Sequence, residues 1–243
     1  MIVGALFGDD GGTDAGEAYV IFGSAAGFGT AVTAGGFTRQ VVDLTSLTAA
    51  QGFIVQGDVA SDQAGFGVAL AGDVNGDGFD DVIIGAPFGD DGGTDAGEAY
   101  VVFGTAAGFG TAVTAGGFSR RVIDLTTLTA TQGFIIQGDV AGDNAGFWVA
   151  TAGDVNGDGI DDMIIGARTG DDGGTDAGEA YVVYGSTSGF GTADAAGRRV
   201  IDLTTLSPAQ GFIIQGDAAG DNLGHSVASA GDVNGDGFDD LIV

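Results

Sequence analysis

The chain has 243 residues, 44% of them hydrophobic, with 50 Gly, 34 acidic residues, six Arg, no Lys, one His and no Cys. Without Cys, disulfides and thiolate metal sites are excluded, and a net charge of −28 repels nucleic acid and anionic lipid while favouring cations. Gly or Asp interrupts every apolar stretch before the roughly 18 residues that a bilayer span needs, so no membrane insertion is expected.

From its first residues the sequence repeats. Met1-Ile2-Val3-Gly4 aligns with 82–85 and with 163–166, GEAYV begins at 16, 97 and 178, and QGF at 51, 132 and 210. An Asp-rich string led by Asp73 recurs at Asp154 and Asp232, 81 and then 78 residues on. Self-similarity at a fixed period marks a repeat architecture. The units expected are 1–72, beginning inside a blade, 73–153 and 154–231, with 232–243 as the start of a further unit. The N-terminus lacks the basic region of an intact secretory signal, and a window cut from a longer array is the expected origin of the chain.

Within the middle unit, apolar runs bounded by Gly and Asp predict four strands, Ala64–Ala71, Asp81–Ala86, Glu98–Phe103 and Gly133–Gln137. These runs are β-branched and aromatic and too short for helices. The long segment 104–132 carries RVIDLTTL, a candidate edge strand, and then Thr129-x-x-Gln132, which caps one helical turn at most. The fold class expected is all-β.

The strongest chemical signal is D-V-N-G-D-G-x-D-D, present three times. In the first copy Asp73, Asn75 and Asp77 place side-chain oxygens at alternate positions, Phe79 offers a backbone carbonyl, and Asp81 returns at the ninth position. Asp154, Asn156, Asp158, Ile160 and Asp162 repeat the pattern, as do Asp232, Asn234, Asp236, Phe238 and Asp240. Ca²⁺ takes six to eight oxygen ligands, which such loops supply; softer metals want His or Cys. An EF-hand does not fit, because Ile84 and Ile165 stand where its closing Glu belongs. The bland alternative is an Asp/Asn/Gly turn without metal, disfavoured because four carboxylates within nine residues repel one another.

A calcium loop between two strands, followed by Gly85-Ala86-Pro87, resembles the FG-GAP repeat of integrin alpha-subunit β-propellers. The resemblance also rests on Phe66-Gly67, on Gly72 to Gly78, on Asp80-Asp81 and on Gly97-Glu98-Ala99-Tyr100-Val101-Val102-Phe103-Gly104. It implies tandem four-stranded propeller-type blades with calcium held between the first two strands of each; the three repeats of about 80 residues read from the period exceed the family's usual length, the surplus lying mostly in Gly104–Gln132. Departures are Phe147-Trp148 and His225-Ser226 in place of Phe-Gly, and Gly4-Ala5-Leu6 and Gly166-Ala167-Arg168 in place of Gly-Ala-Pro. Propellers have four to eight blades, so three do not close a ring. The array is open, continues, or is completed by another copy, two copies giving six blades.

Weaker candidates remain. GDDGGTDAGE gathers Asp90, Asp91, Asp95 and Glu98 as an additional cation site, against a plain solvated hairpin loop; GDVAGDNAG offers Asp139 and Asp143. Five of the six Arg (Arg39, Arg120, Arg121, Arg198 and Arg199) fall at one place in the unit, either for solubility or to pair with acidic loops of a neighbouring unit or chain. His225 reads as a packed ring, and Trp148 as packing or, if exposed, a platform for a sugar.

No enzyme is expected, since a nucleophile, cofactor motif or single distinct site is lacking. The leading expectation is an extracellular or cell-surface calcium-binding repeat serving adhesion or self-assembly into a fibre or matrix, with other copies of itself as partners. The alternative is a lectin-like or integrin-like propeller binding a glycan or protein ligand.

Overall fold

The computed structural model describes residues 1–243 and is built almost wholly of short strands. The second blade has four antiparallel strands in chain order, Val68–Gly72, Asp81–Ala86, Glu98–Val102 and Gly133–Gln137. The third repeats it with Ala145–Gly153, Asp162–Ala167, Glu179–Val183 and Gly211–Gln215. The first has three strands, Ile2–Ala5, Glu17–Ile21 and Gly52–Gln56, and the chain ends on the pair Ala228–Gly231 and Asp240–Ile242. These are open, propeller-type sheets with no closed barrel. The expected strands are present, except that the innermost one begins at Val68 instead of Ala64. Positive φ at Gln63 and Gly65 (58° and 89°) turns the backbone there and delays strand pairing.

The segment 104–132 departs further from expectation. It forms a hairpin, Thr111–Ala115 and Phe118–Asp124, turned through Gly116 and Gly117 at φ 59° and 86°, a conformation in which glycine has no Cβ to clash. The hairpin does not extend its own blade. Its second strand pairs parallel with the outer strand of the blade before, Val122 opposite Ile54, Ile123 opposite Val55 and Asp124 opposite Gln56. The third unit repeats this: Arg199–Asp202 lies parallel to Gly133–Gln137, with Val200 opposite Ile135 and Ile201 opposite Ile136. Thr129 and Gln132 close a turn; the single helical turn is the 3₁₀ segment Leu125–Thr127, capped by Asp124.

Apolar side chains explain this attachment. Phe109, from the second unit, stacks on Phe53 of the first at 4.0 Å between ring centroids, and Phe190 stacks on Phe134 at 3.9 Å. Ile123, Leu125 and Leu128 are buried with Phe53, Val55, Ile84 and Tyr100 in one core, and Ile201 and Leu203 with Phe134, Ile136, Val149 and Tyr181 in another. The cores therefore lie between successive units, as stacking repeats require. Close backbone approach at each junction needs glycine. A Cβ on Gly85 would overlap the carbonyl oxygen of Gly146, and one on Gly4 or Gly166 would meet Gly65 or Gly224 in the same way. This is a steric reason for the glycine of the Gly-Ala-Pro segment.

Candidate functional site

Each Asp-rich loop joins the first two strands of a blade, and its side chains face its own backbone. Asp73 accepts the N–H groups of Asp77 (3.0 Å) and Gly78 (2.8 Å), Asn75 that of Asp77 (2.8 Å), and Asp77 that of Phe79 (3.0 Å). The second loop does the same through Asp154, Asn156 and Asp158 beside Ile160. The third does so through Asp232, Asn234 and Asp236 beside Phe238. In that third loop the N–H groups of Gly237 and Gly235 hold Asp232 below the usual carboxylate range.

The last acid of the loop has a different setting. Asp81 and Asp162 are fully buried. Asp81 accepts from the N–H groups of Val74 (3.1 Å) and Gly104 (2.7 Å), and Asp162 from Val155 (3.1 Å) and Gly185 (2.8 Å); Asp240 accepts from Val233. Burial pushes Asp81 up to about 7 and Asp162 to about 6, against the pull of those N–H groups and with the push of Asp77 and Asp73, or Asp158 and Asp154. An oxygen-only donor set around a buried carboxylate, with acidic neighbours and no cationic side chain, fits a hard divalent cation.

The carboxylates that converge most tightly lie elsewhere. Oxygens of Asp58, Asp62 and Glu98 come within 4.8 Å of one another, as do those of Asp139, Asp143 and Glu179. Two units build each trio. Asp58 and Asp62 follow the outer strand of the first blade, whereas Glu98 opens the third strand of the second, where the Tyr100 hydroxyl donates to Glu98 and to Asp58 (2.8 Å). Burial, reinforced by Glu98 and Asp58, pushes Asp62 up to about 8; burial also lifts Glu98 and Asp143 to about 7.

A third unit supplies the counter-charge. Arg198 donates to Asp58 (2.9 Å), Asp91 (2.8 Å) and Asp194 (2.8 Å), and its equivalent Arg120 lies 3.4 Å from Asp10 in the first blade. Of the Arg cluster, Arg120 and Arg198 thus pair with acids of neighbouring units, whereas Arg121 and Arg199 donate to backbone carbonyls of Gly110, Phe190 and Gly191 and Arg39 is exposed. Of the GDDGGTDAGE acids, Glu98 enters a trio and Asp91 meets Arg198, while Asp90 accepts the N–H of Asp95 on the loop itself. The trio partners Asp58 and Asp62 were legible only through their equivalents, Asp139 and Asp143, four apart after the fourth strand.

The rings of Phe66, Phe147 and His225 form a ladder across units, at 4.8 and 5.2 Å between centroids, with Arg168 over Phe147 at 4.3 Å. Trp148 stands 45% exposed. No helix is long and apolar enough to cross a membrane.

Tandem open β-blades, with an oxygen-rich loop between the first two strands of the second and third blades and within the terminal strand pair, define a propeller-type repeat protein. Residues 64–102, 145–183 and 223–243 match the family model of the FG-GAP repeat, and the chain carries three FG-GAP repeats. It is similar to the integrin alpha pat-2 proteins of Caenorhabditis elegans and Caenorhabditis briggsae. Each is 31% identical over 189 residues, which is 75% of this chain and 12% of the relative. The chain therefore spans only a small part of those proteins.

Proposed function

We propose that the chain is a non-catalytic, calcium-loaded adhesion module of the extracellular space or cell surface, which associates with copies of itself into a fibre or matrix. Calcium is held by Asp73, Asn75, Asp77, the Phe79 carbonyl and Asp81, and by the corresponding residues led by Asp154 and Asp232. The repeating units run 1–72, 73–153 and 154–231, with 232–243 opening the next.

The observation that carries this reading is the buried carboxylate at the end of the loop, Asp81 and Asp162, set among further acids with no cationic side chain beside it. Extracellular modules bind calcium at roughly 10⁻⁴–10⁻³ M, so the loops would fill outside cells and empty in cytosol. The bound ion would neutralise the loop and stabilise the folded state by linkage. The integrin relatives support an adhesive setting. A second reading, a propeller that binds a glycan or protein ligand, is favoured by Trp148, the exposed aromatic at a position where the other units carry Gly67 or Ser226.

Light scattering and thermal unfolding in millimolar calcium and in excess chelator test the proposal. Calcium should raise the unfolding midpoint and the mass should exceed that of one 23.7 kDa chain. An unchanged midpoint would remove calcium from the reading, and a monomer at every concentration would remove self-association.

A further inference from the structure

Twice in this chain a unit reaches back and completes the unit before it, and the joint has three parts. A strand adds parallel to the outer edge of the preceding blade, Val122–Asp124 to Ile54–Gln56 and Val200–Asp202 to Ile135–Gln137. A phenylalanine stacks on the phenylalanine of that edge, Phe109 on Phe53 and Phe190 on Phe134. An arginine enters the acidic site beside it, Arg120 at Asp10 and Arg198 at Asp58 and Asp91.

The same three parts are present unpaired in the first and third units. In the first unit the hairpin Thr30–Ala34 and Phe37–Val41 forms a sheet of its own, exposed at every residue. Phe28, equivalent to Phe109 and Phe190, is 48% exposed, and Arg39, equivalent to Arg120 and Arg198, is exposed as well. In the third unit the outer edge of Gly211–Gln215 pairs with no strand. Phe212, equivalent to Phe53 and Phe134, is 39% exposed there, and Ile213 43%. The acidic trio Asp139, Asp143 and Glu179 beside it contains no arginine, and Asp139 Oδ1 is buried without a hydrogen-bond partner.

We propose that the Phe37–Val41 hairpin of a second copy of this chain docks on the Gly211–Gln215 edge, forming a parallel, head-to-tail joint. The internal joints fix its register: Val41 opposite Ile213, Val42 opposite Ile214 and Asp43 opposite Gln215, with Phe28 stacked on Phe212 and Arg39 in the trio of Asp139, Asp143 and Glu179. Strand addition to an open edge supplies main-chain hydrogen bonds, and the alternate side chains supply selectivity. Because donor and acceptor surfaces differ, the contact is heterologous and generates a ring or an open filament. The inference rests on the self-association proposed above and gives it a surface, a register and an ion pair.

A chain without cysteine makes the test clean. Paired strands lie about 4.8 Å apart, within disulfide reach, so single variants Val41→Cys and Ile213→Cys are mixed under mild oxidation in calcium. Thr33→Cys mixed with Ile213→Cys is the off-register control, and far-UV circular dichroism checks folding of each variant. A disulfide dimer is expected from the first mixture and not from the control, and Arg39→Glu should weaken association about tenfold or more. If chains associate by light scattering but the first mixture crosslinks no better than the control, this joint is wrong while self-association stands. If no association occurs at any concentration, both fail. If Arg39→Glu leaves association unchanged, the arginine is removed from the joint, and Phe28→Ala then decides whether the hairpin contributes at all.

Discussion

Asp161 Oδ2 accepts the backbone N–H of Asp73 at 2.9 Å, tying the acidic loop of one unit to that of the next. The contact recurs where Asp239 Oδ2 accepts the N–H of Asp154, also at 2.9 Å. Neither acceptor belongs to the ligand set inferred from spacing; each is the first Asp of the Asp-Asp pair that closes its loop. Gly72, at φ 84°, leaves the space that the Asp161 carboxylate occupies.

Replacing Asp161 by Ala should therefore cost about 1–2 kcal/mol, the range for a partly exposed hydrogen bond to a charged acceptor. Asp80, its equivalent in the preceding loop, is exposed and accepts no such N–H, so Asp80→Ala should lie within about 0.5 kcal/mol of the parent chain. Urea unfolding of both variants in calcium measures the difference. Equal losses would show that the loop-to-loop bond contributes nothing.

The glycine junctions give a steric prediction. A Cβ at Gly85 has no room beneath the Gly146 carbonyl, so Gly85→Ala should destabilise by about 1–3 kcal/mol through forced backbone movement. Gly23→Ala is the companion variant, because nothing lies within 4 Å of the added carbon and its effect should be near zero. Thermal unfolding of the pair separates overcrowding from a general intolerance of alanine.

Much of this architecture is legible in the sequence. The period, the strands Asp81–Ala86 and Gly133–Gln137, and the Asp73–Asp81 loop follow from local pattern: β-branched runs between Gly and Asp, and oxygen donors at alternate positions. What local pattern does not carry is where an element goes once formed. RVIDLTTL reads as an edge strand, but its partner, Gly52–Gln56, lies in the unit before, and Phe109 and Phe53, 56 positions apart, meet only once the chain between them has folded. Asp58 and Asp62 are likewise turn acids in sequence and Glu98 the first residue of a strand, brought together because two units meet there.

Those buried acids set the pH dependence of the calcium-free chain. Asp62 moves from 3.8 to about 8 on folding, chiefly through burial and then through facing Glu98, Asp58, Asp90 and Asp91; Asp143 moves from 3.8 to about 7 beside Asp139, Glu179, Asp171 and Asp172. A group whose folded pKa lies above its unfolded value favours the folded state below the unfolded value and loses that contribution as pH rises through the folded one. In chelator, then, the unfolding midpoint should fall between pH 4 and pH 8, steepest at about pH 5–6, where only the folded state holds these protons, and flattening as pH approaches 8. Scanning calorimetry across that range checks it, and a midpoint that climbs with pH would contradict the burial of these acids in unpaired form.

Arg198 offers the sharpest test of how the inter-unit site is held together. Its guanidinium meets Asp58, whose side chain is only 3% exposed, together with Asp91 and Asp194. Removing one partner of such a buried pair leaves an uncompensated charge, an effect of about 3–5 kcal/mol. Arg198→Met keeps an unbranched apolar stem and removes the charge, so it should destabilise by about 3 kcal/mol at pH 8. At pH 5 the loss should be smaller, because Asp62 and Glu98, raised to about 8 and 7, already carry protons there. Arg198→Lys should recover only part of the stability, since a single ammonium cannot reach three carboxylates arranged for a planar fork. Urea midpoints of both variants at the two pH values provide the measurement. A loss independent of pH would mean that Arg198 is not coupled to the protonation of Asp62 and Glu98.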